Sequence, residues 1–122
     1  MPSSAFLTAM RIAMHRGDID YERFLVNDPN GTGTDIDFDS IYFTVKKSFK
    51  DRLFFIQKSL KNGTIEKLGP GDYQLKIERV DTSNMTFGKY VFDIQFSYKD
   101  LLNETFTGEF ELLPEATYPE NE

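Results

Sequence analysis

Asp81-Thr82-Ser83-Asn84-Met85-Thr86-Phe87-Gly88-Lys89-Tyr90-Val91-Phe92-Asp93-Ile94 joins a polar turn to an uninterrupted alternation of side chains. From Tyr90 onward, Tyr90, Phe92, Ile94 and Phe96 interleave with Val91, Asp93 and Gln95, so an extended chain here has one apolar and one mixed face. The same period of two recurs on both sides. Ile41, Phe43 and Val45 alternate with Tyr42, Thr44 and Lys46; Tyr73, Leu75 and Ile77 alternate with Gln74, Lys76 and Glu78. Phe106, Gly108, Phe110 and Leu112 alternate with Thr107, Glu109 and Glu111. Four half-buried strands follow from this pattern. Thr8 to His15, Tyr21 to Asn27 and Leu53 to Leu60 read as further strands, less cleanly.

Turn signals separate the runs. Asp28-Pro29-Asn30-Gly31 has Pro second and Gly fourth in a turn. Asn62-Gly63 suits a two-residue hairpin loop. Gly69-Pro70-Gly71-Asp72 and Asn103-Glu104 read as two more breaks. Short strands at this spacing predict an all-β sandwich of about seven antiparallel strands. Gly88, Tyr90 and Phe92 refine that expectation: an apolar residue, then Gly, then Tyr, then an inward aromatic resembles the tyrosine corner opening strand F of immunoglobulin-like sandwiches. The Tyr90 hydroxyl would be satisfied by upstream backbone, and Phe92 would stand where antibody domains carry a cysteine. The core is expected at Ile41, Phe43, Val45, Tyr73, Leu75, Ile77, Tyr90, Phe92, Ile94, Phe96, Phe106, Phe110 and Leu112.

The chain has 122 residues, enough for one domain, with roughly two-thirds of its extended surface buried on folding. The sandwich is expected over 1–113, with 114–122 as an acidic, flexible tail holding three Glu and two Pro. Fourteen Lys and Arg stand against 20 Asp and Glu, a net charge of −6. That balance argues against a nucleic-acid partner, which needs cations for its phosphates, and against an anionic membrane. No run approaches the roughly 20 apolar residues that span a bilayer. The first ten residues lack the positive start of a signal peptide. With no cysteine and one histidine, thiolate chemistry, disulfides and multi-His metal sites are excluded.

Asp35, Asp37 and Asp39 alternate with Ile36 and Phe38 and would project from one strand face as hard oxygen ligands suited to calcium. Asp28, Asn30 and Gly31 echo a calcium loop, but Asp39 occupies the twelfth position where such a loop has Glu. The simpler reading is a turn followed by a solvated edge strand. Arg16-Gly17-Asp18 spells an integrin-type tripeptide; as a plain turn it places Gly17 at positive φ. Four Asn-x-Thr triplets, at Asn30, Asn62, Asn84 and Asn103, read as turn asparagines followed by strand threonines. His15 has no acid or nucleophile at a recognisable spacing. Lys46 and Lys47, with Lys58, Lys61 and Lys67, could form one positive face for docking an acidic neighbour; the alternative is a set of solvating charges that block edge pairing. No acid–base pair and no phosphate-cradling loop is present, so the chain reads as non-enzymatic and without a cofactor.

Taken in order, Arg16-Gly17-Asp18, the turn at Gly31, Asp35-Ile36, Val45-Lys46-Lys47, Gln57-Lys58-Ser59-Leu60, Asn62-Gly63, Asp81-Thr82, Gly88 to Ile94 and Thr107-Gly108-Glu109-Phe110 resemble small immunoglobulin-like proteins of tailed phages and prophages of Gram-positive bacteria. The chain is similar to the N-terminal domain of baseplate upper proteins over roughly Met10 to Leu113. Ile19 stands where that family has Thr, and Asp35-Ile36-Asp37-Phe38 where it has Asp-Leu-Thr-Gly. The family continues into further domains. The resemblance implies a virion structural protein of tail or baseplate, made in the host cytoplasm, with no catalytic residues. Its expected partners are other virion proteins and further copies of itself. A carbohydrate- or calcium-binding module is the competing reading, resting on Asp35, Asp37 and Asp39 and on exposed aromatics such as Tyr42 and Tyr98.

Overall fold

The computed structural model describes residues 5–7, 11–26, 38–69, 71–99 and 102–114. Among the described residues, nine strands form two packed sheets and one short helix joins them: β1 (Ala5–Leu7), β2 (Arg11–His15), β3 (Asp20–Val26), β4 (Ser40–Lys46), β5 (Ile56–Ser59), β6 (Ile65–Gly69), β7 (Asp72–Ile77), α1 (Arg79–Thr82), β8 (Gly88–Tyr98) and β9 (Leu102–Leu113). One sheet has the order β1-β3-β7-β6 and the other β2-β9-β8-β4-β5. These are the two sheets of an immunoglobulin-like sandwich, with β5 widening the second one as in variable-type domains.

The strand count exceeds seven for two reasons. The N-terminal segment divides itself between the sheets, with β1 antiparallel to β3 and β2 parallel to β9. That β2–β9 pairing is the one parallel ladder among the described strands. Secondly, Ile65–Gly69 forms β6, antiparallel to β7, where the sequence pattern suggests no strand. Leu53 to Leu60 yields β5, antiparallel to β4, only from Ile56 onward. Leu53, Phe54 and Phe55 stay outside it and stand exposed. Asn62-Gly63 does not close a hairpin. Gly63 has a φ of 82° in the turn where the chain leaves β5 in one sheet for β6 in the other. Asn103-Glu104 is no break either: both lie inside β9, paired with Ser97 and Phe96, and the turn falls earlier, where Lys99 has a φ of 47°. The turn at Gly31 lies outside the described residues.

The alternation read from the sequence matches burial closely. Ile41, Phe43, Val45, Tyr73, Leu75, Ile77, Tyr90, Phe92, Ile94, Phe96, Phe110 and Leu112 are all buried, and Phe106 is half-buried against them. The core also takes Ile12, Met14, Phe24, Phe38, Ile56, Ile65 and Met85. Aromatic rings bridge the layers: Phe24 of the four-stranded sheet meets Phe96 of the five-stranded sheet edge-on at 5.9 Å and stacks on Tyr73 at 5.7 Å. Phe38 closes the same cluster, 5.1 Å from Phe96.

At the start of β8 the Tyr90 hydroxyl donates to the Thr86 carbonyl at 2.7 Å and lies 3.2 Å from the Thr86 hydroxyl. This is tyrosine-corner geometry. Phe92, two residues on, packs 5.3 Å from Phe43. A second anchor sits nearby. Asp81 in α1 accepts from the Glu78 backbone N–H at 2.7 Å and from the Lys58 ammonium at 2.6 Å. Lys58 is therefore not part of a surface patch with Lys46 and Lys47. Its register opposite Phe43 turns it inward, where only a carboxylate makes its charge tolerable. Truncating Phe92 to Ala should cost roughly 3–5 kcal/mol of unfolding free energy. Tyr90→Phe should cost roughly 1–2 kcal/mol, because the Thr86 carbonyl loses a donor. Urea titrations measure both, and a Phe92→Ala midpoint equal to wild type would contradict this account of the core.

Candidate functional site

The outer face of the five-stranded sheet carries the most unusual surface among the described residues. Its floor is Tyr42, Thr44 and Lys46 of β4 beside Asp93 and Gln95 of β8, positioned by the register Tyr42–Gln95 and Thr44–Asp93. Gln57 of β5 donates to the Thr44 hydroxyl at 3.4 Å. Arg52 and Phe54 fold over from the β4–β5 connection and complete an open groove of about 420 Å³. The carboxyl of Asp93 is pushed above its ordinary range by burial, with Lys46 partly offsetting that rise.

The connection itself is the notable part. Phe49, Leu53, Phe54 and Phe55 are 53%, 84%, 52% and 46% exposed, four large apolar side chains within seven residues. It is also well braced. The Phe55 backbone N–H donates to the Val45 carbonyl at 2.8 Å, and Asp51 and Ser48 exchange backbone and side-chain hydrogen bonds at 3.1 and 3.2 Å. The Phe55 ring meets Tyr90 edge-on at 5.1 Å. A braced loop presents apolar groups at little further entropic cost, which favours recognition of another surface. Singly exposed apolar residues are ordinary, but a cluster marks an interaction site.

Lys46 and Lys47 do not share one face. Lys46 lies on the outer face near Asp93. Lys47 turns to the corner, donating to the Lys89 carbonyl at 3.1 Å with its ammonium 4.5 Å from the Tyr90 ring centroid. Of the three aspartates proposed as calcium ligands, Asp35 and Asp37 lie outside the described residues. The Asp39 carboxylate accepts from the Lys99 backbone N–H, which braces the β8–β9 turn. Among the described residues no group of three or more His, Asp or Glu is placed to hold a metal ion. Tyr98, the other aromatic of the competing reading, has the Lys99 ammonium 5.3 Å from its ring centroid, far along β8 from the corner. Gly17 takes a φ of 82°, its N–H donating to the Thr82 hydroxyl at 2.9 Å, and Arg16 stacks over Phe87 at 4.5 Å; the tripeptide is a braced turn. His15 Nδ1 is 3.0 Å from the Pro114 carbonyl.

One feature escaped the sequence. Asp20 and Glu22 lie on the core side of β3, in register with the buried Ile77 and Leu75. Burial and the adjacent Asp20, which shares a hydrogen bond with it, push the Glu22 carboxyl up from 4.5 to about 8. Asp20 Oδ2 is buried without a hydrogen-bond partner. The signal was the alternation Asp20, Glu22, Phe24, which puts both acids on the inward parity.

The fold has counterparts among solved structures. CopC from Methylosinus trichosporium OB3b superposes with a TM-score of 0.54 at 13% identity, covering 93% of this chain and 99% of that one. Murine CRIg does so with a TM-score of 0.49 at 13% identity, covering 91% and 98%. No family model and no curated protein sequence matches the chain. At such identity the CopC likeness establishes the sandwich alone.

The Glu22 shift makes stability fall as pH rises. The unfolded chain releases the Glu22 proton near 4.5, whereas the folded chain holds it to about 8. The stability this confers is complete below the lower value and is lost as pH climbs through the upper one. Glu22→Gln should flatten that slope between about pH 5 and about pH 9. Denaturant midpoints across this range test it, and an unchanged slope in the variant would contradict the assignment to Glu22.

Proposed function

We propose that the chain is a non-enzymatic structural protein of a phage or prophage particle, associated with the tail or baseplate, that acts by protein–protein assembly. The observation that carries the assembly role is the braced β4–β5 connection, which holds Phe49, Leu53, Phe54 and Phe55 in solvent beside a groove on a rigid sheet. A catalytic cleft would need converging acid–base or nucleophilic groups. This groove offers a single carboxyl, Asp93, with the cations Lys46 and Arg52, two amides, the Thr44 and Tyr42 hydroxyls and the Phe54 ring. Such a lining suits recognition of a surface. The placement in a virion rests on the sequence resemblance over Met10 to Leu113, and so does manufacture in the host cytoplasm. The partners are then other virion proteins, and neither nucleic acid nor membrane is involved.

Mass spectrometry of particles purified from the induced source strain tests the placement. Peptides of this chain at several copies per particle are the expected result. Particles complete in shell and tail proteins but lacking this chain would overturn it.

A further inference from the structure

Charge on this protein is segregated. The ten residues Lys46 to Phe55 hold four of the 14 basic residues and one of the 20 acidic ones, leaving ten against 19 in the remainder of the chain. The same division runs across the outer face of the five-stranded sheet. Lys46 and Arg52 lie at the β4–β5 side; Glu109 and Glu111 of β9 lie at the other, with Arg11 paired to Glu111. Lys46, Val91 and Glu109 stand in one row, because Lys46 is in register with Val91 and Val91 with Glu109. Val91 is the apolar centre of that row, on the middle strand β8.

We propose that this face docks a second copy of the same chain, about a two-fold axis that lies between the copies and runs along β8. Such an axis exchanges the two sides of the sheet. Lys46 of each copy then faces Glu109 of the other, and the β4–β5 connection of each lies over β9 and β2 of the other. A two-fold contact is the commonest form of self-association because one surface serves both partners. The charge pattern selects this occupant over others. An acidic foreign partner covering the face would set its carboxylates against Glu109 and Glu111 as well as the lysines. An anionic membrane would meet the same groups and a net charge of −6. The two-fold instead pairs Lys46 with Glu109 twice, and opposes like charges on the axis strand, Asp93 to Asp93 and Lys89 to Lys89.

Area requires the β4–β5 connection as well. Five strands about 4.8 Å apart, over six residues rising about 3.3 Å each, give a face on the order of 500 Å² in projection. A stable interface takes about 800 Å² from each partner. The sheet alone falls short, and the exposed side chains of Phe49, Leu53 and Phe54 are the apolar surface available to extend it. The inference rests on reading this face as a docking surface. Loss of the virion placement would leave it standing, since the test below uses the purified chain alone.

Sedimentation velocity decides it. At low salt and concentrations up to ~100 µM the protein should sediment as a dimer, twice the 14.1 kDa monomer. Raising the salt should weaken the dimer, since the pairs are exposed. Leu53→Ser with Phe54→Ser should leave a folded monomer, both positions being exposed. Lys46→Glu should weaken association roughly tenfold, and Lys46→Glu with Glu109→Lys should restore it, because the two-fold brings these positions together. A monomer across this range would overturn the proposal. So would a dimer indifferent to the Leu53 and Phe54 substitutions, or a Lys46→Glu defect that the Glu109→Lys exchange fails to repair.

Discussion

The hydrogen bond from the Tyr90 hydroxyl to the Thr86 carbonyl fixes where β8 begins, and most of the molecule follows from that start point. β8 is the middle strand of the five-stranded sheet, paired with β9 over eleven residues and with β4 over seven. Because side chains alternate with a period of two, a slip of one residue would turn Phe92, Ile94 and Phe96 to solvent and drive Asp93 and Gln95 inward. The corner prevents that slip. It also brings Tyr90 under Lys47 and against Phe55, so the element that sets the register also braces the base of the β4–β5 connection.

Two kinds of polar device hold the remaining joints. The Lys58–Asp81 pair spans from the edge strand β5 to the helix between β7 and β8, and Asp81 simultaneously caps the Glu78 backbone. Inside a sandwich such a pair fixes geometry more than it adds stability, since desolvation offsets much of the attraction. The surface pairs Arg11–Glu111 and Arg23–Asp72 cross neighbouring strands and contribute at most about 1 kcal/mol each. Asp20 and Glu22 act in the opposite sense. They place titratable groups on the core side of β3, and the fold tolerates them while Glu22 keeps its proton.

Period-two alternation made the core legible from sequence, because strand burial is a local consequence of parity. Phe92 and Tyr90 could be placed within the fold because the corner is written in consecutive residues. What escaped was everything set by pairing between distant segments. The division of the N-terminal segment between two sheets depends on β3 and β9, and nothing in Thr8 to His15 announces it. Lys58 looked like surface charge until its register opposite Phe43 and the position of Asp81 turned it inward. Leu53-Phe54-Phe55 read as a strand because apolar runs resemble one another, and only the ladder starting at Ile56 shows those side chains left in solvent. Of the candidate site, Tyr42 and Lys46 on the sheet were legible, while the exposed side chains of the β4–β5 connection were not, because parity marks strand faces and is blind to loops.

The central claim is that the outer face of the five-stranded sheet, with its β4–β5 connection, is the working surface of this chain. Lysine cross-linking of the assembled protein, read by mass spectrometry, tests it most directly because lysines lie on both sides of the sandwich. The account predicts intermolecular links concentrated at Lys46, Lys50 and Lys89. Links concentrated instead at Lys61, Lys67 and Lys76, around the four-stranded sheet, would contradict it.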